Sequence, residues 1–548
     1  MTTFILFLIS YISHLQLEVV SLAAPYDHDF SYMKSVHNAT DVPLEDVYDY
    51  IIVGGGTAGC PLAATLSEKY SVLVLERGNS PVSYPQVLNS NGVLANLLQE
   101  DDGKSPAERF TSEDGVPNTR GRVLGGSSMI NAGFYSRADK EFYMQSGIQW
   151  DMDSVENSYQ WVEETIVFKP NLSVWQSIFK QALLQAGVGP DNGFTLQHLV
   201  GSKASGSTFD DQGRRHGAVE LLNRGVLKNL RVAVQASVEK IIFNYNHIEG
   251  LCAIGVEYTD SNGWSRRRAF LRDKGEVILS AGAIGSPQLL LLSGIGPDHH
   301  LSSLYIPIVH SNPDVGNFMA DNPRNSINIL VPFDLDPSVA QVAGITSDFN
   351  YIEAISSYMP FSFPLPFSLF PTSTTPINLS VASIVEKFHG PISSGSLRLV
   401  SPVGVGVSPA VRFNYFENPV DLARCVRGMR KVGDMLKTQS MDRFKFRGLK
   451  DVEGGFKFLG PSLPKEQSDD ASMEGFCRST VTTMWHYHGG CVVGKVVDGE
   501  FRVMGTNALR VVDSSVFKTS PGTNPQATVM MIGRYIGLKI LQERKKPK

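Results

Sequence analysis

The sequence predicts an α/β fold, α+β overall, and three observations carry that expectation. The first is a strand–helix–strand unit in "YDYIIVGGGTAGCPLAATLSEKYSVLVLERG", from Tyr48 to Gly78. The second is a length of 548 residues, which exceeds one ordinary core at roughly 100–200 residues per domain. The third is the return of strand-to-helix patterns far downstream, in "GEVILSAGAIGSPQLLLLSGIGP" and from "ALRVVDSSVF" to "NPQATVMMIGRYIGLKIL".

In the first unit Ile51, Ile52 and Val53 form a short apolar strand, and Gly54, Gly56 and Gly59 fill the GxGxxG positions around Thr57 and Ala58. A helix follows through "CPLAATLSEKY", and "SVLVLE" reads as a second buried strand ending in Glu76 and Arg77, with the acid about 20 residues beyond the glycines. This is a dinucleotide fingerprint with a physical basis. A pyrophosphate must approach backbone N–H groups at a helix N-terminus, where side chains would obstruct it and the helix dipole favours anions. The carboxylate accepts hydrogen bonds from a ribose and disfavours a phosphate there, which argues against NADP.

Other segments favour FAD over NAD. "RGRVLGGSSMINAGFYSRA" is a second glycine loop with no second GxGxxG unit, residues 275–297 read as strand, small-residue turn and helix start, and Asp513 ends a further strand before a helix near Pro525. A cofactor touched by all three thirds of the chain is long and deeply buried, which suits FAD better than a dissociating nicotinamide.

The composition, 42% hydrophobic and 19% charged with a net charge of −5, carries no nucleic-acid footprint and points to small-molecule partners. An apolar run from Phe4 to Ile12 is shorter than the ~20 residues a bilayer span needs. With Ser21, Ala23 and Ala24 behind it, residues 1–24 read as a secretory signal peptide in preference to a buried first strand, although a basic leader is missing and Glu18 interrupts the run. Cys60, Cys252, Cys425, Cys477 and Cys491 lack zinc or CxxC spacing, so one disulfide plus buried thiols is expected. Sequons at Asn38, Asn171 and Asn378 agree with secretion.

With its glycine signatures in order and "MWHYHGGCVVG" near the C-terminus, the chain resembles the glucose-methanol-choline (GMC) family of flavoproteins from about residue 45 onward. Within it the resemblance is to the branch of plant (R)-mandelonitrile lyases and lyase-like proteins, through "DHDFSY", "LERG", "GRVLGGSSMINAGFYSRA", "WDMDSV" and "WHYHGGCVVGKV". It implies a Rossmann-like FAD-binding domain assembled from 45–150, 215–320 and 480–548. A substrate domain of antiparallel sheet and helices, from 151–214 and 321–479, is inserted between those segments. Carried over by position, Gly54, Gly56, Thr57, Ala58, Gly59, Glu76 and Arg77 hold the ADP half, and Val238 meets the adenine through its backbone. Arg122, Val123, Gly126, Ser127, Asn131 and Ala132 belong to the loop beside the flavin, and Trp485, Asp513, Pro525 and Gln526 to its ribityl and ring end. Members with covalent FAD place a histidine after the double glycine; here the chain reads Ser-Ser-Met-Ile-Asn, so the resemblance implies non-covalent FAD. It also pairs Cys425 with Cys477.

Residues i and i+2 of a strand share a face, so His486 and His488 would lie side by side in a strand, and need not do so in irregular chain. A metal needs a further ligand that no recognisable spacing supplies, and none is expected. His488 reads as a hydrogen-bonded core residue. His486 aligns with the family's catalytic base, and its partner is Asn524, whose bland reading is a turn residue before proline. The lyases carry a second histidine at the place of Asn524 and a tyrosine at that of Met484.

Alcohol oxidation and cyanohydrin cleavage both begin when a base takes the hydroxyl proton. They differ in whether hydride or cyanide leaves the carbon. An amide at 524 steadies an alkoxide, whereas cyanide loss needs a positive field and a proton that a second histidine provides. Oxidation of an alcohol is therefore the leading expectation, and a hydroxynitrile lyase is the alternative. A flavin-binding protein without catalysis is a third reading, against which an intact His486 and Asn524 argue. The Pro-, Phe- and Ser-rich stretch Ser356–Pro376 either lines a pocket for an aryl or aliphatic alcohol or packs as a loop on the substrate domain. A secreted or vacuolar monomer, with no nucleic-acid or membrane partner, completes the expectation.

Overall fold

The computed structural model describes residues 22–23, 26–247, 250–260, 263, 266–361, 377–446 and 455–545. Most of the expected leader and most of the aromatic stretch, at 362–376, lie outside the described residues. The chain opens with β1 (Val36–Asn38), β2 (Glu45–Val53), α1 (Gly59–Ser67) and β3 (Val72–Glu76). Helices α2 (Met152–Ile166) and α3 (Val174–Gln185) and strands β4 (Asp191–Phe194) and β5 (Gly201–Ala204) follow. Next come β6 (Leu230–Val234), β7 (Ser237–Asn246), β8 (Gly250–Thr259), β9 (Arg266–Leu279) and α4 (Gly282–Leu292). The last part holds β10 (Pro323–Leu330), β11 (Val342–Ile345), β12 (Asn350–Phe361), β13 (Ile377–Phe388), α5 (Pro419–Leu436), β14 (Lys457–Phe458), α6 (Asp470–Thr480), β15 (Thr482–Thr483), β16 (Leu509–Val511) and α7 (Gln526–Glu543).

Two eight-stranded sheets organise the molecule. The first runs β1-β6-β3-β2-β9-β8-β7, with β16 also on β9. Its centre is parallel, and Ile51, Ile52, Leu73, Val74 and Ile278 are buried there, as expected of strands covered on both faces. The turn from β2 into α1 accepts only glycine at its start. Gly54 has φ +100°, and a Cβ on it would sit 2.4 Å from the Ser280 carbonyl oxygen. Gly59 lets α1 close on that turn, since a Cβ there would meet the Gly54 oxygen at 2.0 Å.

The second sheet runs β14-β10-β13-β12-β11-β5-β4, with β15 also on β10, and only β4 and β5 pair in parallel. Alternation along β12 and β13 sets its two faces. Ile352, Ala354, Ala382 and Ile384 pack into the core shared with α3 and α5. Glu353, Ile355 and Val385 turn the other way, into a cavity between the two sheets.

Two segments grouped with the inserted domain by sequence pack instead with the first core. Val155, Tyr159, Val162 and Ile166 form the apolar stripe of α2, join that core and face α7. Leu397, Leu399, Val411 and Phe413 also belong to that core. The first sheet also reaches back to residue 36, before the expected start at 45.

Cys425 and Cys477 form a disulfide between α5 and α6. Asn171 and Asn378 are exposed, whereas the Asn38 amide donates to Gln235. Among the described residues, no helix is long and apolar enough to cross a membrane.

Candidate active site

The cavity between the sheets has a volume of about 1020 Å³, at the upper end of the roughly 300–1,000 Å³ typical of small-molecule sites. Two helix N-termini open onto it without a capping side chain: α1, behind Gly56, Thr57 and Ala58, and α7, behind Asn524 and Pro525. Uncapped N–H groups and the helix dipole make such termini anion sites. Gly56 and Gly126 line the same wall, and a Cβ on Gly126 would lie 2.8 Å from the Gly56 Cα. Side chains would close this cradle.

Most of the sequence-predicted cofactor residues meet here. Gly54, Glu76, Arg77, Ser127, Asn131, Ala132, Val238, Trp485, Asp513 and Gln526 all line the cavity. The Glu76 carboxylate accepts the N–H groups of Gly55 at 3.0 Å and Gly78 at 2.7 Å. Two of its roughly four lone-pair sites therefore remain for a ribose. Asn131 donates to Gln526 Oε1 at 2.9 Å, and Gln526 Nε2 donates to the Phe134 oxygen at 2.6 Å. Asp513 is engaged by the protein itself, accepting from Gly282 N, Ser286 Oγ, Ser515 N and Ser515 Oγ. It ties α4 to the end of β16.

Three predicted contacts do not reach the cavity wall. Gly59 lies beneath the turn, where it permits close packing. Arg122 turns away to pair with Asp101 and donates to the Ser105 carbonyl. Val123 is fully buried and bridges to Asn79.

The catalytic end is built on the pairing of β15 with β10, which brings residues 482–488 beside Asp321 and Asn322. The buried Asp321 carboxylate accepts from Tyr415 Oη (2.6 Å), Thr483 Oγ1 (2.7 Å), His486 N (2.7 Å) and Met484 N (3.3 Å). Burial pushes its pKa up to about 6, with those bonds opposing. These contacts hold Trp485 at φ +60°, a left-handed conformation that an aromatic residue keeps only when its surroundings impose it. The Arg324 guanidinium lies over the Trp485 ring at 4.6 Å.

Asn322 decides the state of His486. Its Nδ2 donates to the carbonyls of Phe388 (2.8 Å) and Gly390 (3.0 Å), so its Oδ1 must be the atom 3.2 Å from His486 Nδ1. That oxygen only accepts. His486 Nδ1 therefore carries the proton, and Nε2 keeps its lone pair. Burial, then the positive charges of Lys387 and, further down, Arg324, hold the imidazole pKa well below 6.5. His486 is a neutral imidazole, and it lines the cavity together with Asn524.

Two GMC oxidoreductase domain models match the chain, one over residues 48–324 and one over 391–533. The chain belongs to the GMC oxidoreductase family. It is 57% identical over 528 residues to (R)-mandelonitrile lyase 1 of Prunus serotina, covering 96% of this chain and 92% of that protein. It is also 53% identical to the sinalpyl alcohol oxidase Nec3 of Nesocodon mauritianus, over 94% of this chain and 92% of that one. The solved formate oxidase of Aspergillus oryzae superposes with a TM-score of 0.75 at 21% identity, covering 91% of this chain and 99% of that one. The last likeness concerns the fold.

This GMC enzyme is a flavoprotein with FAD as its cofactor, and its cavity fits that group. The two uncapped helix ends, the Gly56–Gly126 cradle and the free capacity of Glu76 are what a diphosphate and a ribose require. His488 does not line the cavity. Its Nδ1–H donates to the His486 oxygen at 3.0 Å, it is buried away from the cavity wall, and burial pushes its pKa down to about 4. The two histidines diverge because residue 488 pairs with Ala320 while the strained Trp485 turns His486 inward.

Sequence reasoning missed Asp321, Asn322, Arg324, Glu353 and Lys387. The only signal was local: "NYIEAISSY" and "SVASIVEKF" carry charges inside otherwise apolar or small-residue strands.

Proposed function

We propose that this enzyme oxidises an alcohol to a carbonyl compound, with His486 as the base and Asn524 as the group that steadies the oxygen left behind. One observation carries the reading: a neutral imidazole with its lone pair on Nε2 shares a cavity with an amide rather than with a second histidine. The FAD, bound without a covalent link beside the Ser127–Asn131 loop, supplies the hydride acceptor. The chain's residues do the rest. His486 Nε2 takes the hydroxyl proton, and the imidazolium that forms is supported through Nδ1 by Asn322. The Asn524 amide donates to the alkoxide oxygen. Lys387 and Arg324 add a positive field that favours the anion. Val339, Ala340, Ile355 and Met484 form a largely apolar wall that receives the rest of the substrate.

Gly54, Gly56, Thr57, Ala58, Glu76, Arg77 and Val238 serve the ADP half in this reading. Gly126, Ser127, Asn131, Ala132, Trp485, Asp513, Pro525 and Gln526 serve the flavin half, and Gly59, Arg122 and Val123 support from behind the wall. The FAD-binding domain takes its strands from the segments that build the first sheet. Residues 1–24 act as a signal peptide, a reading that the disulfide supports; N-terminal sequencing of the secreted protein tests it.

The experiment is anaerobic mixing of FAD-loaded protein with benzyl alcohol and a panel of aliphatic alcohols while the visible flavin absorbance is followed. Bleaching is expected. In His486→Ala it slows by roughly 10²–10⁴-fold with FAD retained. Wild-type bleaching in that variant removes His486 from the role.

A specific observation favours a second reading, cleavage of a cyanohydrin to aldehyde and cyanide. Lys387 and Arg324 act on His486, and they provide the positive field that sequence reasoning sought in a second histidine. Cyanide release from mandelonitrile above the uncatalysed rate, with the flavin still oxidised, establishes that reading.

A further inference from the structure

We propose that Glu353 is a positioning residue that fixes which end of the Asn524 amide faces the reacting oxygen. The inference rests on Asn524 serving the reaction as described above. Glu353 lies in β12, only 4% exposed, on the strand face that turns into the cavity, and it shares that wall with Asn524. Tyr351, two residues back on the same face of β12, shares a hydrogen bond of 3.0 Å with Thr523, which brings Glu353 beside Asn524, and the amide acts on the Glu353 carboxyl as a donor that lowers its pKa. Glu353 Oε1 has no hydrogen-bond partner, and neither has Asn524 Oδ1.

The oxygen and nitrogen ends of an amide have nearly the same shape, so only a neighbour can decide between them. An ionised carboxylate has acceptor sites alone. It holds the Asn524 nitrogen toward itself through one N–H and leaves the second N–H of that nitrogen for the oxygen of a bound alcohol or carbonyl. A protonated carboxyl can donate instead. It then engages Asn524 Oδ1, and the amide no longer holds its nitrogen in place.

The groups facing Glu353 set where this change occurs. On β13 its direct partner is Val385, and Lys387 stands two pairs along the ladder on the same face, opposite Tyr351. On β11 its partner Ala343 carries no charge. Lys203 approaches from β5 and Asn524 from the loop before α7. Burial dominates and pushes the carboxyl pKa up to about 7, against Lys387, the Asn524 bond and Lys203. Since His486 is already neutral there, a pH dependence near neutrality is not its own; burial also brings Lys203 down to about 7 and Lys387 down to about 8, so the change belongs to Glu353 only where Glu353→Gln abolishes it.

The test is binding of benzaldehyde to the FAD-loaded protein, read from the flavin difference spectrum between about pH 5.5 and about pH 8.5. Benzaldehyde carries the carbonyl that both alcohol oxidation and cyanohydrin cleavage would form, so the readout does not depend on which reaction the enzyme runs. In the wild type, affinity should rise about fivefold to tenfold toward high pH, the worth of one hydrogen bond. Glu353→Gln should bind with no pH dependence. A flat wild-type profile, or a dependence that persists in Glu353→Gln, overturns the proposal. Should Glu353→Gln fail to fold, Asn524→Ala decides with Glu353 intact: a flat profile supports the proposal and a retained one overturns it. Failure of every alcohol to bleach the flavin would instead count against the oxidation reading.

Discussion

Replacing Asn322 with alanine isolates the bond that selects the tautomer of His486. In the resting site that bond is a neutral contact of 3.2 Å, worth about 0.5–1.5 kcal/mol net. When Nε2 takes the substrate proton the ring becomes cationic, and the same contact becomes charge-assisted, worth about 1.5–3 kcal/mol. The difference, about 1–1.5 kcal/mol, is stabilisation present only as the proton moves, and it amounts to roughly fivefold to tenfold in rate. Loss of ring orientation adds to it, so the whole effect should be about 10–100-fold. The assay is single-turnover flavin reduction under anaerobic conditions, with FAD content measured in parallel. Asn322 does not line the cavity, so FAD content should be unchanged. Freeing the carbonyls of Phe388 and Gly390 from their donor should also lower stability by about 1–3 kcal/mol. A rate within about twofold of wild type at full FAD content would refute the tautomer argument, because a ring released from Asn322 has lost the stated reason to present Nε2.

Opening the Cys425–Cys477 disulfide with paired serine substitutions frees a loop closed over 52 residues. Chain entropy then predicts a loss of about 4 kcal/mol, seen as a lower unfolding midpoint; an unchanged midpoint in oxidising buffer contradicts it. His488 is buried neutral, with its pKa depressed to about 4 from 6.5, so its contribution is present above pH 6.5 and is lost as pH falls toward 4. That amounts to about 3 kcal/mol. His488→Gln should flatten this part of the acid limb in denaturant titrations, and an identical pH slope would show that His488 does not titrate with unfolding.

The glycine loop of the cofactor site was legible in the sequence because its constraints are local. Gly54, Gly56 and Gly59 lie within six residues of chain, and Gly54 and Gly59 are each required by a backbone atom of the same β2–α1 turn or of the residue that follows the strand beside it. Glu76 was legible for the same reason, since β3 pairs directly with β2. The catalytic surroundings were not. Asp321 and Asn322 lie more than 160 residues from His486 and reach it only because β15 pairs with β10. Glu353 and Lys387 look like ordinary strand residues until the faces of β12 and β13 are known, and no spacing in the sequence reports which face meets the flavin site. Arg122 and Val123 show the opposite error. They belong to a recognisable glycine-containing segment, but one ends in an ion pair with Asp101 and the other in the core.

The same geometry bears on why one scaffold serves two chemistries. Proton removal by a neutral imidazole is common to both, and Lys387 and Arg324 favour an anion whether it is an alkoxide or a departing cyanide. What separates them is whether a proton can be handed to the leaving carbon, and an amide at 524 has none to give. Asn524→His supplies one. The new imidazole would stand beside Glu353, whose unpartnered Oε1 is placed to accept from it, and a carboxylate neighbour favours the protonated ring. Cyanide release from mandelonitrile should therefore rise at least about tenfold over wild type, in line with the smaller effects of general acid catalysis. Flavin bleaching by benzyl alcohol should fall, because the amide donor to the alkoxide is gone. If both rates instead stay at wild-type values, the residue at 524 does not control the fork, and the cause must be sought in the wall formed by Val339, Ala340, Ile355 and Met484, which sets how the reacting carbon is presented.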